Sequence, residues 1–144
     1  MISMKEKIEA KRVVLCSLAD VPESSADEIL TGDFEGKELK YVITLLDELK
    51  KDGYVNDYIS KDKMKTIYSL TRKGDDRAEY LSSEERWEET LKICSKLNDF
   101  SERTVDRVYD QILQKDISIL IGNPINNIAE AIYQLNSGYP IISR

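Results

Sequence analysis

Leu45–Leu81 reads LLDELKKDGYVNDYISKDKMKTIYSLTRKGDDRAEYL, and its hydrophobic period changes along the way. The first part belongs to a helix over 36–52. Leu39, Val42, Ile43, Leu46 and Leu49 recur at intervals of three and four, the stripe of a 3.6-residue period. Lys37, Lys40, Tyr41, Thr44, Asp47 and Lys51 take the opposite side. Gly53 closes the helix, because the left-handed position after a helix end favours a residue without Cβ. Tyr54–Ile59 and Lys65–Leu70 are then rich in β-branched and aromatic residues, separated by the polar Ser60-Lys61-Asp62-Lys63-Met64. This predicts a β-hairpin with a charged tip. Thr71 caps the helix that follows, with Ala78 and Leu81 pointing inward.

Upstream, residues 4–19 read as a helix with Ile8, Leu15 and Leu18 on one stripe and Val14 beside it. Lys5, Glu6, Glu9, Lys11 and Arg12 cover the rest. Val21-Pro22 stops it, since the residue before proline is pushed out of the α region. Ser25-Ala26-Asp27-Glu28 is a capping box opening a short helix with Ile29 and Leu30 inward, ended by Thr31-Gly32-Asp33. Downstream, a helix over 82–98 opens on a second box, Ser82 with Glu85, and carries the stripe Trp87, Leu91, Cys94 and Leu97. Ser101 starts another, with Val105, Val108, Tyr109, Ile112 and Leu113 on one side. Ile117–Ile121 is a short apolar run that period alone does not assign. Asn123-Pro124 opens a last helix bearing Ile125, Ile128, Ala129, Ile132 and Leu135, ended by Gly138. A boundary near 81–84 divides the chain into a domain over 1–82 and a helical extension over 83–144.

Three helices, a tight step between the second and third, then a two-stranded hairpin: this order resembles a winged helix-turn-helix. LLDELKKDGYV (Leu45–Val55) and YSLTRKGDDRAEYL (Tyr68–Leu81) are similar to the helix–wing–helix passage of many bacterial winged-helix proteins. There the third helix ends in Lys/Asp-Gly-Tyr/Leu-Ile/Val and the second wing strand leads into Leu-Thr-x-x-Gly, here Leu70-Thr71-Arg72-Lys73-Gly74. Arg77–Leu81, then Trp87, then Asn98-Asp99-Phe100-Ser101 extend the likeness over about 4–116. This order resembles the small YjcQ-like winged-helix proteins of prophages and mobile elements. The resemblance implies a fold and a genomic setting rather than a mechanism. The expected fold is mainly α with a small β-hairpin (α+β), a winged helix-turn-helix followed by a C-terminal helical extension.

Composition removes several functions. The 144 residues include no histidine, which excludes Ser-His-Asp and Cys-His nucleophile systems and imidazole ligands. Cys16 and Cys94 have no companion at zinc or CxxC spacing and read as core fillers on apolar helix faces. The six glycines never fall at a phosphate-loop spacing. No cofactor or metal is expected. Carboxylates are plentiful, yet nothing selects one pair over another, so the chain reads as a non-enzyme, with a carboxylate hydrolase kept as a rival. No apolar run approaches a membrane span, and Met1–Ala10 has no apolar core of a secretory signal. A cytoplasmic location and no membrane partner are expected.

A net charge of −6 argues against a simple cationic nucleic-acid binder. Between Lys37 and Lys73, however, nine basic residues face six acidic ones, a local +3 that leaves −9 to the remainder. In a winged helix the third helix enters the major groove and the wing lies against phosphate or the minor groove. The residues placed to do this are Lys37, Lys40, Tyr41 and Thr44 on the helix, with Glu38 near them. On the wing they are Lys61, Lys63 and Lys65, with Arg72 and Lys73 at the foot of the next helix. Lysines at helix faces and hairpin tips are also ordinary solvated surface. Tyr54, Tyr58 and Tyr68 read as cross-strand packing, and Trp87 as core. The expected function is a DNA-binding transcriptional regulator of phage or mobile-element origin. It would be homodimeric through the C-terminal helices and bind double-stranded DNA with strong salt sensitivity. The alternative is a winged-helix protein-interaction module or inhibitor that takes a protein partner.

Overall fold

The computed structural model describes residues 2–120. Two compact units divide at Ser83/Glu84. The first contains α1 (Met4–Asp20), β1 (Ser24–Ser25), α2 (Ala26–Asp33), α3 (Leu39–Lys51), β2 (Val55–Ser60), β3 (Lys65–Leu70) and α4 (Arg72–Tyr80). The second contains α5 (Glu84–Leu97) and α6 (Glu102–Leu120). The helix expected from Asn123-Pro124 onward lies outside the described residues.

The core of the first unit joins Val14, Leu15 and Leu18 of α1 to Ile29 of α2. Val42, Leu45, Leu46 and Leu49 of α3, Val55 and Tyr68 of the hairpin, and Ala78 of α4 complete it. Local chemistry sets the helix ends. At α2 both halves of the capping box form: Glu28 N–H donates to Ser25 Oγ at 3.3 Å and Ser25 N–H donates to Glu28 Oε1 at 3.1 Å. Gly53, at φ +87, terminates α3.

Several boundaries differ from the sequence expectation. α3 begins at Leu39 rather than near residue 36, because Gly36 sits at φ +90, outside helical space. Leu39 is consequently 37% exposed, and Leu45 takes the buried place instead. The hairpin is not alone. β1 pairs antiparallel with β3, Ser24 opposite Tyr68 and Ser25 opposite Ile67, giving the order β1-β3-β2 with β3 central. Ser82 does not form a second capping box: α5 begins only at Glu84, and the Ser82 hydroxyl donates to Glu79 O at 2.7 Å, closing α4 instead. On α5 Thr90 is buried while Leu97 is exposed. The apolar run from Ile117 continues α6 as far as Leu120. Arg12, expected in solvent, is buried and donates from Nε to Leu81 O at 2.8 Å.

The end of the hairpin is knotted to the end of α3. Thr71 N–H donates to Tyr54 O at 2.9 Å, and Thr71 Oγ1 donates to Gly53 O at 2.7 Å. The same hydroxyl accepts from Gly74 N–H at 3.0 Å, capping α4. Gly74 packs so closely on Tyr54 that an added Cβ would collide with the Tyr54 carbonyl. The Leu-Thr-x-x-Gly signature thus has a steric cause. Gly74→Ala is expected to cost about 1–3 kcal/mol by overpacking against backbone, although alanine is the better helix former. Arg12→Ala, which strands the buried Leu81 carbonyl, is expected to cost about 1–3 kcal/mol. Urea unfolding of each variant against the parent measures both, and an unchanged midpoint refutes the assignment.

Candidate nucleic-acid interface

The outer face of α3 follows from its inner one. With Val42, Leu45, Leu46 and Leu49 buried, the 3.6-residue period turns Lys40, Thr44, Asp47 and Lys51 to solvent, and all four are exposed. Thr44 returns its hydroxyl to Lys40 O at 2.8 Å, which orders the side chain on the helix surface. β2 leaves the C-terminal end of α3 and packs beside it. Lys50 Nζ meets Asp57 Oδ1 at 2.8 Å, and this contact raises the lysine pKa. The hairpin then projects away. Val55 faces Leu70 at its base and Ser60 faces Lys65 at its tip.

The structure sorts the predicted residues into three groups. Lys40 and Thr44 are exposed on the first half of α3, and Lys61, Lys63 and Lys65 are exposed at the wing tip. Arg72 and Lys73 are not brought to that tip. They stand at the hairpin base, about 17 Å away along a six-residue strand. Lys73 caps α3, donating to Asp52 O at 2.8 Å with its ammonium 4.7 Å from the Tyr54 ring centroid. The third group faces α1. The Tyr41 hydroxyl donates to Glu6 Oε2 at 2.9 Å, and Lys37 approaches the same carboxylate at 3.8 Å. Tyr41 is half-buried, its ring tilted on Phe34 with centroids 5.8 Å apart.

The electrostatics follow this sorting. Burial first, then the bond to Glu6, pushes the Tyr41 phenol up to about 12. Glu48, whose burial alone would raise its pKa, is held below the ordinary carboxylate range by Lys11 and Lys7, at 3.4 and 3.3 Å. Glu28 is lowered chiefly by the Ser25 N–H and hydroxyl, with Lys63 and Lys65 adding their field. Among the described residues, Lys40, Lys61, Lys63, Lys65 and Arg72 have no ion-pair partner.

Two features were missed by reading the sequence. Ile59 and Met64 are 75% and 85% exposed at the wing tip, although strand alternation alone places Ile59 on the core side. Tyr58, expected to pack across the hairpin, is 48% exposed and donates its hydroxyl to Glu23 at 2.9 Å. Tyr68 does pack inward, and Tyr54 is half-buried.

A cleft of about 360 Å³ between α1 and α2 gathers Asp20, Glu28 and Asp33. Glu28 is consumed by its capping box and has a lowered pKa, the reverse of what a general acid requires. Among the described residues no group of histidine, cysteine and carboxylate side chains could hold a metal ion. Among them, too, no helix is long and apolar enough to cross a membrane.

Three helices, a helix-turn-helix step from α2 to α3, and a hairpin whose strand β3 also pairs with β1 define a winged helix-turn-helix. No family model matches the chain, and no curated protein matches it. Among solved structures, a mutant of Lactococcus lactis ZitR in apo form is similar at 19% identity. That match covers 81% of this chain and 82% of the other, with a TM-score of 0.49. A transcriptional regulator from Clostridium thermocellum, Cth-833, is similar at 22% identity over 67% of this chain and 97% of the other, with a TM-score of 0.48.

The Tyr41 environment has a measurable consequence. A phenol whose folded pKa lies above its unfolded value of about 10 favours folding while protonated. That stability is fully present below pH 10 and is lost as pH rises towards 12. Stability measured by urea unfolding between pH 9 and 12 is expected to fall less steeply in Tyr41→Phe than in the parent. Equal slopes refute the assignment.

Proposed function

We propose that this chain is a cytoplasmic DNA-binding regulator that acts as a homodimer. α3 enters the major groove and the wing lies along the adjacent backbone. One observation carries the reading: Lys40 on α3 and Lys61, Lys63 and Lys65 on the wing are exposed and, among the described residues, without ion-pair partners. Lys7, Lys11, Lys37 and Lys50 of the first unit are held by carboxylates, whereas Lys51 and Arg72, at the end of α3 and the foot of the hairpin, have no ion-pair partner among the described residues. Unpaired lysines on a projecting helix and wing are the groups that exchange counterions for phosphates. The contacts are few, so affinity is modest and two copies are needed. The second unit is the segment proposed to join them, and Leu97 on α5, 55% exposed, is an apolar side chain there that a second copy would cover. The order Arg77–Leu81, then Trp87, then Asn98–Ser101, which resembles that of YjcQ-like proteins, is what supports a phage or mobile-element origin.

A second reading is favoured by the −9 charge outside the Lys37–Lys73 stretch. In it the winged helix is a protein-interaction module for a basic partner, without DNA.

The two readings part on a single measurement. Anisotropy of a labelled duplex is followed as salt rises from roughly 50 to 200 mM, for the parent and for a Lys40→Ala/Lys63→Ala variant. Removing two phosphate contacts per protomer, four per dimer, is expected to reduce the slope of log K against log salt by about 3.6. Lys40→Glu with Lys63→Glu is expected to abolish retention. An unchanged slope, or no binding by the parent, favours the protein partner. In the bound dimer, the two α3 helices are expected about 34 Å apart, read as footprints one helical turn apart.

A further inference from the structure

We propose that the wing tip is an apolar wedge: Ile59 and Met64 enter the minor groove, unstack a base step and bend the duplex. This deepens the DNA-binding reading and rests on it.

The case starts from register. Directly opposed residues of an antiparallel pair share a face, so Ile59 stands with Thr66, Asp57 with Tyr68, and Val55 with Leu70. Alternation puts Ile59, Asp57 and Val55 together on one side. It is the side α3 covers, since Val55 and Tyr68 are buried there and Asp57 holds Lys50 of α3. Ile59 lies one step beyond that cover. Its side chain therefore leaves the sheet on the same side as α3, at 75% exposure. Met64, the last residue before β3, is 85% exposed and has φ +55. An unbranched apolar residue is unusual in that left-handed conformation, where asparagine or glycine is ordinarily found.

Isolated exposed apolar residues need no explanation. Here two large ones crown one turn, and the lysines around them decide what could cover it. Lys61, Lys63 and Lys65 flank the pair; Asp62 lies among them and Glu28 is near enough to feel Lys63 and Lys65, but none of the three lysines has an ion-pair partner among the described residues. An apolar tip inside a cationic ring complements a groove with anionic walls and an apolar floor of stacked bases. Isoleucine and methionine are among the side chains that wedge between base steps from the minor groove and kink the helix. Flexible TA steps yield most readily.

The test uses the full chain and a duplex of about 30 base pairs with central TA steps, labelled at both ends for energy transfer. The parent is expected to bring the ends closer. Ile59→Ser with Met64→Ser is expected to remove that bend and weaken binding about tenfold, with the salt slope unchanged because no cation is lost. Lys63→Ala is expected to do the converse, keeping the bend while the slope falls by about 1.8, one contact from each protomer. Both changes lie at exposed positions, and an unchanged urea midpoint verifies folding. If the parent binds and the serine variant bends the duplex equally, the wedge is overturned and the DNA-binding reading stands. If the parent binds no duplex, both fall. Binding of the parent to vesicles of anionic phospholipid, lost in the serine variant and without any duplex bend, assigns the tip to a membrane surface and also overturns the wedge.

Discussion

The Tyr54 carbonyl is the point on which the first unit closes. It accepts the Thr71 N–H at 2.9 Å, and Gly74 presses against it where no Cβ can fit. Three elements meet there: the end of α3, the first residue of the hairpin and the start of α4. Thr71 bonds the Gly53 carbonyl and Lys73 bonds that of Asp52, so the carbonyls of the turn that follows α3 are taken up by the start of α4. A two-stranded hairpin by itself is marginal in water. Here it is anchored at its base by this knot and along β3 by β1.

Features closed within a few residues were legible in the sequence, and features closed from afar were not. Ser25 with Glu28, Thr71 with Gly74, and Gly53 each settle a helix end locally, and each showed as a residue type at a spacing. Arg12 looked solvated because its partner, the Leu81 carbonyl, lies 69 residues away. β1 is two serines with no period of their own, made a strand only by β3. Ser82 could have capped α5, but α4 ends beside it and took the hydroxyl. Leu97, expected on the buried stripe of α5, is exposed because helical period gives the spacing of a stripe without saying how far along the helix the neighbour extends.

The charges show the same division. The outer residues of α3 and the lysines of the tip were read from period and from a polar turn, and both are exposed. Lys37, Tyr41 and Lys73 drew the same reading, but each meets a group that folding brings up: Glu6 for the first two, the Asp52 carbonyl for the last. Net charge is therefore a poor guide to this surface. What matters is which cations the fold has neutralised, and along the α1–α3 seam Glu6, Glu48 and Asp52 take up the nearby lysines.

The knot at Tyr54 is made almost wholly of backbone atoms, one hydroxyl and a missing Cβ. No side chain on the outer half of α3 or at the hairpin tip takes part. Substitutions at Lys40, Thr44, Ile59 or Lys63 leave the closure intact, so drift at these positions carries little cost in folding. Descendants of such a chain can alter what the arm and helix touch while keeping one scaffold. Change would gather at the rim, and the Leu-Thr-x-x-Gly passage would be the slowest part to move.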